Sequence, residues 1–114
     1  MKLAIIGSRT LRIETLADFL PDHVTEIVSG GAAGIDSLAA VFAAEHQLKL
    51  TVFLPQYEKY HRAAPLKRNE QIADYADRAI AIWDGHSKGT AHAIRQFRNR
   101  NKPIRVFLLQ PKTE

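Results

Sequence analysis

The sequence predicts an α/β fold, a five-stranded parallel sheet with helices on both faces, in one domain covering residues 1–114. Three observations point there. Short apolar runs rich in β-branched residues recur along the chain. Segments of helical period separate them, and strict alternation of the two implies parallel strands joined by right-handed crossovers. Glycine- and hydroxyl-rich stretches follow several of the runs, as βα turns do.

In chain order, "KLAII" (2–6) reads as the first strand, buried on both faces. Ile13, Leu16, Ala17 and Leu20 then fall at i, i+3, i+4 and i+7, which predicts a helix. "TEIVS" (25–29) is the second strand, and Ile35, Leu38, Ala39 and Phe42 repeat the helical spacing. "KLTVFL" (49–54) is the third strand. The ten residues "PQYEKYHRAA" (55–64) read as an irregular connection, of the length used for lids and binding loops. A weaker helix runs from about Pro65 to Ala76, with the proline in its first turn, where a missing N–H costs nothing. "RAIAIW" (78–83) is the fourth strand. Thr90, Ala93, Ile94 and Phe97 mark the last helix, and "IRVFLL" (104–109) the fifth strand.

Composition narrows the function classes. With 114 residues, 46% hydrophobic and 25% charged, the chain is globular and has a core of modest size, for which a homodimer is a reasonable expectation. No cysteine is present, which removes disulfides, thiolate metal sites and cysteine catalysis. The five histidines form no H-E-x-x-H or similar pattern, so neither a metal nor another cofactor is expected. "MKLAIIGSRT" has an apolar run too short for a signal peptide, and no run reaches transmembrane length. A cytoplasmic protein without membrane contact is expected. The net charge of +4 permits anionic partners without requiring them.

In parallel sheets, ligands bind at the carboxyl ends of the strands. Here those ends carry "GSRT" (7–10), "SGGAAG" (29–34), the long connection and "DGHSKGT" (84–90). The dinucleotide fingerprint G-x-G-x-x-G is absent, since "IIGSRTLR" holds only Gly7. Walker A is absent too, because the lysine of "GHSKGT" precedes the second glycine. Two strand–turn–helix units remain, one with Gly30 and Gly31, the other with Gly85, Ser87, Gly89 and Thr90. Each is suited to hold an anion on main-chain N–H groups, although glycines also simply make tight turns. Ser8 and Arg9 add a hydroxyl and a charge. Asp36, in a first helical turn, reads either as a dipole-complementing carboxylate or as a ribose acceptor. Lys67 and Arg68 oppose the dipole of the third helix, which suggests an anion nearby. Tyr57, Tyr60, His61 and Arg62 suit base stacking or loop anchoring equally well. Arg95, Arg98, Arg100 and Lys102 form a basic helix end, explained by the dipole or by nucleic acid.

The stretches "IIGSR", "IVSGGAAGID", "KRNEQIADYADRAIAIWDG" and "SKGTAHAI", in this order and spacing, resemble the SLOG superfamily of Rossmann-like proteins, most closely its YspA-like branch. The resemblance implies a Rossmann-like three-layer domain with strand order 3-2-1-4-5 and a nucleotide-derived ligand over the glycine-rich turns. Two functional poles are similar to parts of the chain. LOG-type phosphoribohydrolases, which cleave the base from a nucleoside monophosphate, are matched by Arg68, Gly89 and Thr90. Their glutamate position is Ala93 here, and the proline-glycine pair of their last turn is not reproduced. DNA-processing protein A, which binds single-stranded DNA, has a second turn similar to "SGGAAGID".

The expected function is binding of a nucleotide or nucleotide-derived small molecule, as sensor or carrier. A phosphoribohydrolase-like hydrolase or transferase and a single-stranded DNA-binding module are the alternatives, with nucleic-acid binding weak at most. The expected ligand-binding set is Gly7, Ser8, Arg9, Ser29, Gly30, Gly31, Asp36, Arg68, Asn69, Asp84, Gly85, Ser87, Lys88, Gly89 and Thr90, with no catalytic residue assigned.

Overall fold

A computed structural model describes residues 1–11, 13, 15–32 and 34–110. Five parallel strands, β1 (Lys2–Gly7), β2 (Glu26–Ser29), β3 (Lys49–Val52), β4 (Arg78–Trp83) and β5 (Ile104–Leu108), form one sheet in the order β3-β2-β1-β4-β5. The predicted topology is therefore present. Alternation along the two central strands divides the core. Leu3 and Ile5 of β1 and Ile80 and Ile82 of β4 join Ile27 beneath α1 (Ile35–Glu45), which contributes Ile35, Ala39 and Ala43. On the opposite face, Ala4 and Ala79 lie with Val28 under α3 (Ala64–Tyr75) and α4 (Lys88–Asn99), whose Ile72, Ala73 and Phe97 complete that cluster. Small residues on this face let two helices approach the sheet together.

Three expectations change. Between β1 and β2 the described helical element is a single 3₁₀ turn, Leu16–Phe19, rather than an α-helix. Leu16 is buried, and Ile13, Phe19 and Leu20 pack against the core. The apolar spacing thus encoded burial, which a short turn supplies as well as a helix does. The connection after β3 is largely helical: α2 (Tyr57–Tyr60) and a 3₁₀ turn (His61–Ala63) lead directly into α3. Burial on both faces holds for the three inner strands but fails at the edge. β3 leaves Leu50 and Val52 at 37% and 41% exposure and Leu54, just beyond it, at 62%, while Phe53 packs edge-on against Tyr75.

The register places the site. Gly7 pairs with Ile82, so β1 and β4 end together, and β1 is followed in space by β2 on one side and β4 on the other. This is the switch point, where βα turns splay apart and leave a crevice.

Candidate functional site

A cavity of about 390 Å³ opens at that point. Its walls come from the end of β1 through Thr10, from the turn after β2, from α3, and from the first turn of α4. Part of the lining is apolar, made by Ile6, Pro65, Leu66, Ile72 and Ala93. Another part is polar, with Arg9, Asp36, Arg68, Asn69, Ser87 and Thr90.

Asp84 builds the last turn. Its Oδ1 accepts the N–H groups of His86 and Ser87, both at 2.8 Å, and its Oδ2 accepts the hydroxyls of Ser87 (2.9 Å) and Thr10 (3.3 Å). These donors, the Ser87 N–H foremost, hold the carboxyl far below the usual carboxylate range. The Asp84 N–H in turn donates to Ser8 Oγ at 3.2 Å, and the Ser8 N–H donates to the Ile82 carbonyl at 3.1 Å. The ends of β1 and β4 are thereby stitched together. Ser87 spends its hydroxyl on Asp84 and leaves the N-terminus of α4 uncapped. The first helical bond runs from the Ala91 N–H to the Ser87 carbonyl. The N–H groups of Lys88, Gly89 and Thr90 consequently make no hydrogen bond among the described residues, and they are the orphan donors of a helix start. Gly89 and Thr90 line the cavity, and a Cβ added at Gly89 would meet no atom within 4 Å.

The turn after β2 is bare for a different reason. A Cβ on Gly30 would lie 2.5 Å from Arg68 Nη1, which donates to the Gly30 carbonyl at 2.7 Å. A Cβ on Gly31, whose φ is +72°, would lie 2.6 Å from Leu54 Cδ2. This turn admits the protein's own guanidinium and a leucine from the β3 edge. Of the expected residues, Gly31, Ser29, Asp84, Gly85 and Lys88 stand outside the cavity wall. Ser29 Oγ accepts the Gly31 N–H, and Gly85 makes the turn at a φ of +83°. Gly7, Ser8, Arg9, Gly30, Asp36, Arg68, Asn69, Ser87, Gly89 and Thr90 are brought together around it.

Two side chains on α3 carry the charge inward. Arg68 Nε donates to Asn69 Oδ1 at 3.0 Å, and Asn69 Nδ2 donates to the Gly89 carbonyl at 3.3 Å. The guanidinium is thus held by the Gly30 carbonyl and by Asn69, which is itself tied to the Gly89 carbonyl. Asp36 is buried, accepts the Ala32 N–H at 3.1 Å, and has its pKa raised by burial, with Arg68 and Arg9 opposing the rise. Thr10, Pro65, Leu66 and Ile72 escaped the sequence reading. The helical period of α3 marks Ile72 as apolar, but nothing local says that this face borders a crevice.

Among the described residues no three His, Asp or Glu side chains gather as a metal site, and no helix is long and apolar enough to cross a membrane. Chemically, the arrangement offers two arginines, a helix N-terminus with free donors, one buried carboxyl, and an apolar wall. No curated protein and no solved structure is significantly similar to the chain. A family model does match, over residues 1–109 and so over all five strands and both turns, and on that match the chain belongs to the family described as DNA recombination-mediator protein A.

Proposed function

We propose that the cavity binds the phosphate and sugar of a nucleotide or a nucleotide-derived molecule. The observation that carries this reading is the convergence of Arg9 and Arg68 on a crevice whose end is the uncapped first turn of α4. Free N–H groups, the positive end of a helix and guanidinium charges, that of Arg68 held in place, are the elements of an oxyanion site. The apolar wall of Ile6, Leu66 and Ile72 offers a surface for the flat face of a base. Hydrolysis at the ribose is the weaker reading. The glutamate position of the LOG-type phosphoribohydrolases is Ala93, the one carboxyl on the cavity wall is Asp36, which accepts the Ala32 N–H, and Asp84, outside the wall, has its oxygens engaged in four hydrogen bonds. The family favours a second reading, in which the bound phosphate belongs to single-stranded DNA. The narrower placement in the YspA-like branch rests on the sequence stretches alone.

A thermal-shift panel of nucleotides, deoxynucleotides, inorganic phosphate and a short oligonucleotide tests the proposal. At about 100 times Kd a ligand adds roughly 2.7 kcal/mol, or on the order of 10 °C for a domain of this size. Arg9→Ala should cut the shift by removing one charge-assisted bond, with little change in the free protein. If no phosphorylated compound moves the wild type, the reading is wrong. If only the oligonucleotide does so, the second reading replaces the first.

A further inference from the structure

A line of side-chain contacts crosses the groove between α3 and α4 and ends in the cavity. Arg100 donates to Asp74 Oδ1 (2.7 Å) and to Gln96 Oε1 (2.8 Å). Gln96 Nε2 lies 3.2 Å from His92 Nε2, and His92 Nδ1 lies 3.2 Å from Asn69 Nδ2. Asn69 Oδ1 then receives Arg68 Nε, and Arg68 Nη1 reaches the Gly30 carbonyl.

The contact with Asn69 sets what His92 must be if it is to hold that amide. Asn69 cannot be turned over, because its oxygen is held by the Arg68 N–H. Its amide therefore points two N–H bonds outward, one to the Gly89 carbonyl and one to His92. His92 Nδ1 must present a lone pair, which only a neutral imidazole with its proton on Nε2 can do. The amide of Gln96 faces that second nitrogen, its own oxygen being taken by Arg100. The ring thus has an amide nitrogen on each side but, when neutral, a single lone pair; with that pair on Nδ1 for Asn69, the Nε2–H faces Gln96 without a hydrogen bond, and protonation removes the one pair that Asn69 uses. The charged groups acting on it are Arg95 on its own helix and Glu70 on α3. Arg68 and Arg100 stand one residue removed in the line.

We propose that His92 is a positioning residue: its Nδ1 lone pair holds Asn69, and through Asn69 it holds Arg68 at the mouth of the phosphate cavity. Protonating His92 turns an acceptor into a donor facing a donor, so Asn69 is pushed away and Arg68 loses its Nε partner. Acid therefore loosens the site. This is opposite in sign to a histidine that contacts an oxyanion directly, where protonation strengthens binding. Burial of the ring, followed by Arg95, keeps it neutral below the usual histidine range. The inference rests on the reading of the cavity as an oxyanion site.

The test uses three proteins and two readouts. His92→Asn places an amide oxygen where Nδ1 stood and does not titrate, whereas His92→Ala supplies no acceptor. The first readout needs no ligand: exchange protection of the Arg68 Nε–H by NMR. Protection is expected in wild type at neutral pH and in His92→Asn throughout. It should be lost in His92→Ala, and in wild type once the His92 ring resonances titrate. The second is affinity for sulfate, which stays doubly charged over this range. Wild type should weaken by about three- to tenfold relative to His92→Asn on acidification, and His92→Ala should be weak at every pH. Protection unchanged in His92→Ala, or lost in His92→Asn in step with wild type, overturns the inference. If protection behaves as described but sulfate binds none of the three, the oxyanion reading fails and the positioning of Arg68 by His92 stands.

Discussion

At the scale of single residues, Asp84 does more for the last turn than either of its glycines. Four hydrogen bonds converge on one carboxylate, and each favours the ionised form. Its pKa is lower folded than unfolded, so the stability it gives is present in full above the unfolded value, near pH 4, and is lost as pH falls further. Asp36 acts in the opposite sense: burial raises its pKa, and folding is relieved of a buried charge as it protonates. A melting curve series from pH 7 to pH 3 should show wild type falling more steeply below pH 4 than Asp84→Asn. At neutral pH that variant should melt roughly 5–10 °C lower, through partial loss of its accepting capacity. Parallel pH curves for the two proteins would contradict the assignment. The sequence marks Asp84 as the residue that opens the last turn, and as one expected to touch the ligand rather than to build the turn. Three of its donors lie within three residues, and the fourth, Thr10, is 74 positions away, which is not local information.

Among the elements, α3 shows how a weak helix is held. Its Lys102 clamp comes from beyond α4: Nζ donates to the carbonyls of Ala73 (2.7 Å), Asp74 (2.9 Å) and Ala76 (2.8 Å) at the helix end. These are the orphan acceptors of a C-terminus, and a cation there also suits the dipole. Lys102→Met keeps the apolar stem and removes the donors. It should cost roughly 1–3 kcal/mol in denaturant unfolding, and an unchanged midpoint would show that solvent serves those carbonyls equally well. In sequence, Lys102 reads as the end of a basic surface patch, so its role in α3 was hidden. The strands were easier, because β-branched runs have few alternatives once turn residues bound them. The segment from Ile13 to Leu20 misled, since i, i+3, i+4 spacing is satisfied by any compact turn that buries Leu16. The stretch 55–64 misled in the other direction, because two short helical turns carry too few residues to show a period.

For the whole molecule, a parallel sheet was legible because strand and helix alternate, and the turns that matter must then share one edge; the strand order itself came from the resemblance. The candidate cavity was legible in outline for the same reason, in that ten of the fifteen expected residues line it; that they bind a ligand is the proposal. What was not legible is direction. Gly30 and Gly89 look alike in sequence, yet one is filled by Arg68 and the other faces open space. That contrast gives an expected outcome. Gly89→Val should fold normally, and it should abolish nucleotide-induced thermal shifts by occupying the mouth of the cavity. Gly30→Ala should instead destabilise the free protein by displacing Arg68. Equal binding by Gly89→Val and wild type would place the ligand elsewhere.

Whether the first turn of α4 meets a phosphate is read directly by amide NMR. During titration with a nucleoside 5′-monophosphate, the backbone N–H resonances of Lys88, Gly89 and Thr90 should move together and saturate at one midpoint. The Arg68 Nε–H should follow the same curve, while Arg98 at the far end of the helix stays still. If instead the resonances around Arg98 and Arg100 move and those of Lys88, Gly89 and Thr90 do not, the uncapped turn is not a phosphate site and the central claim is wrong.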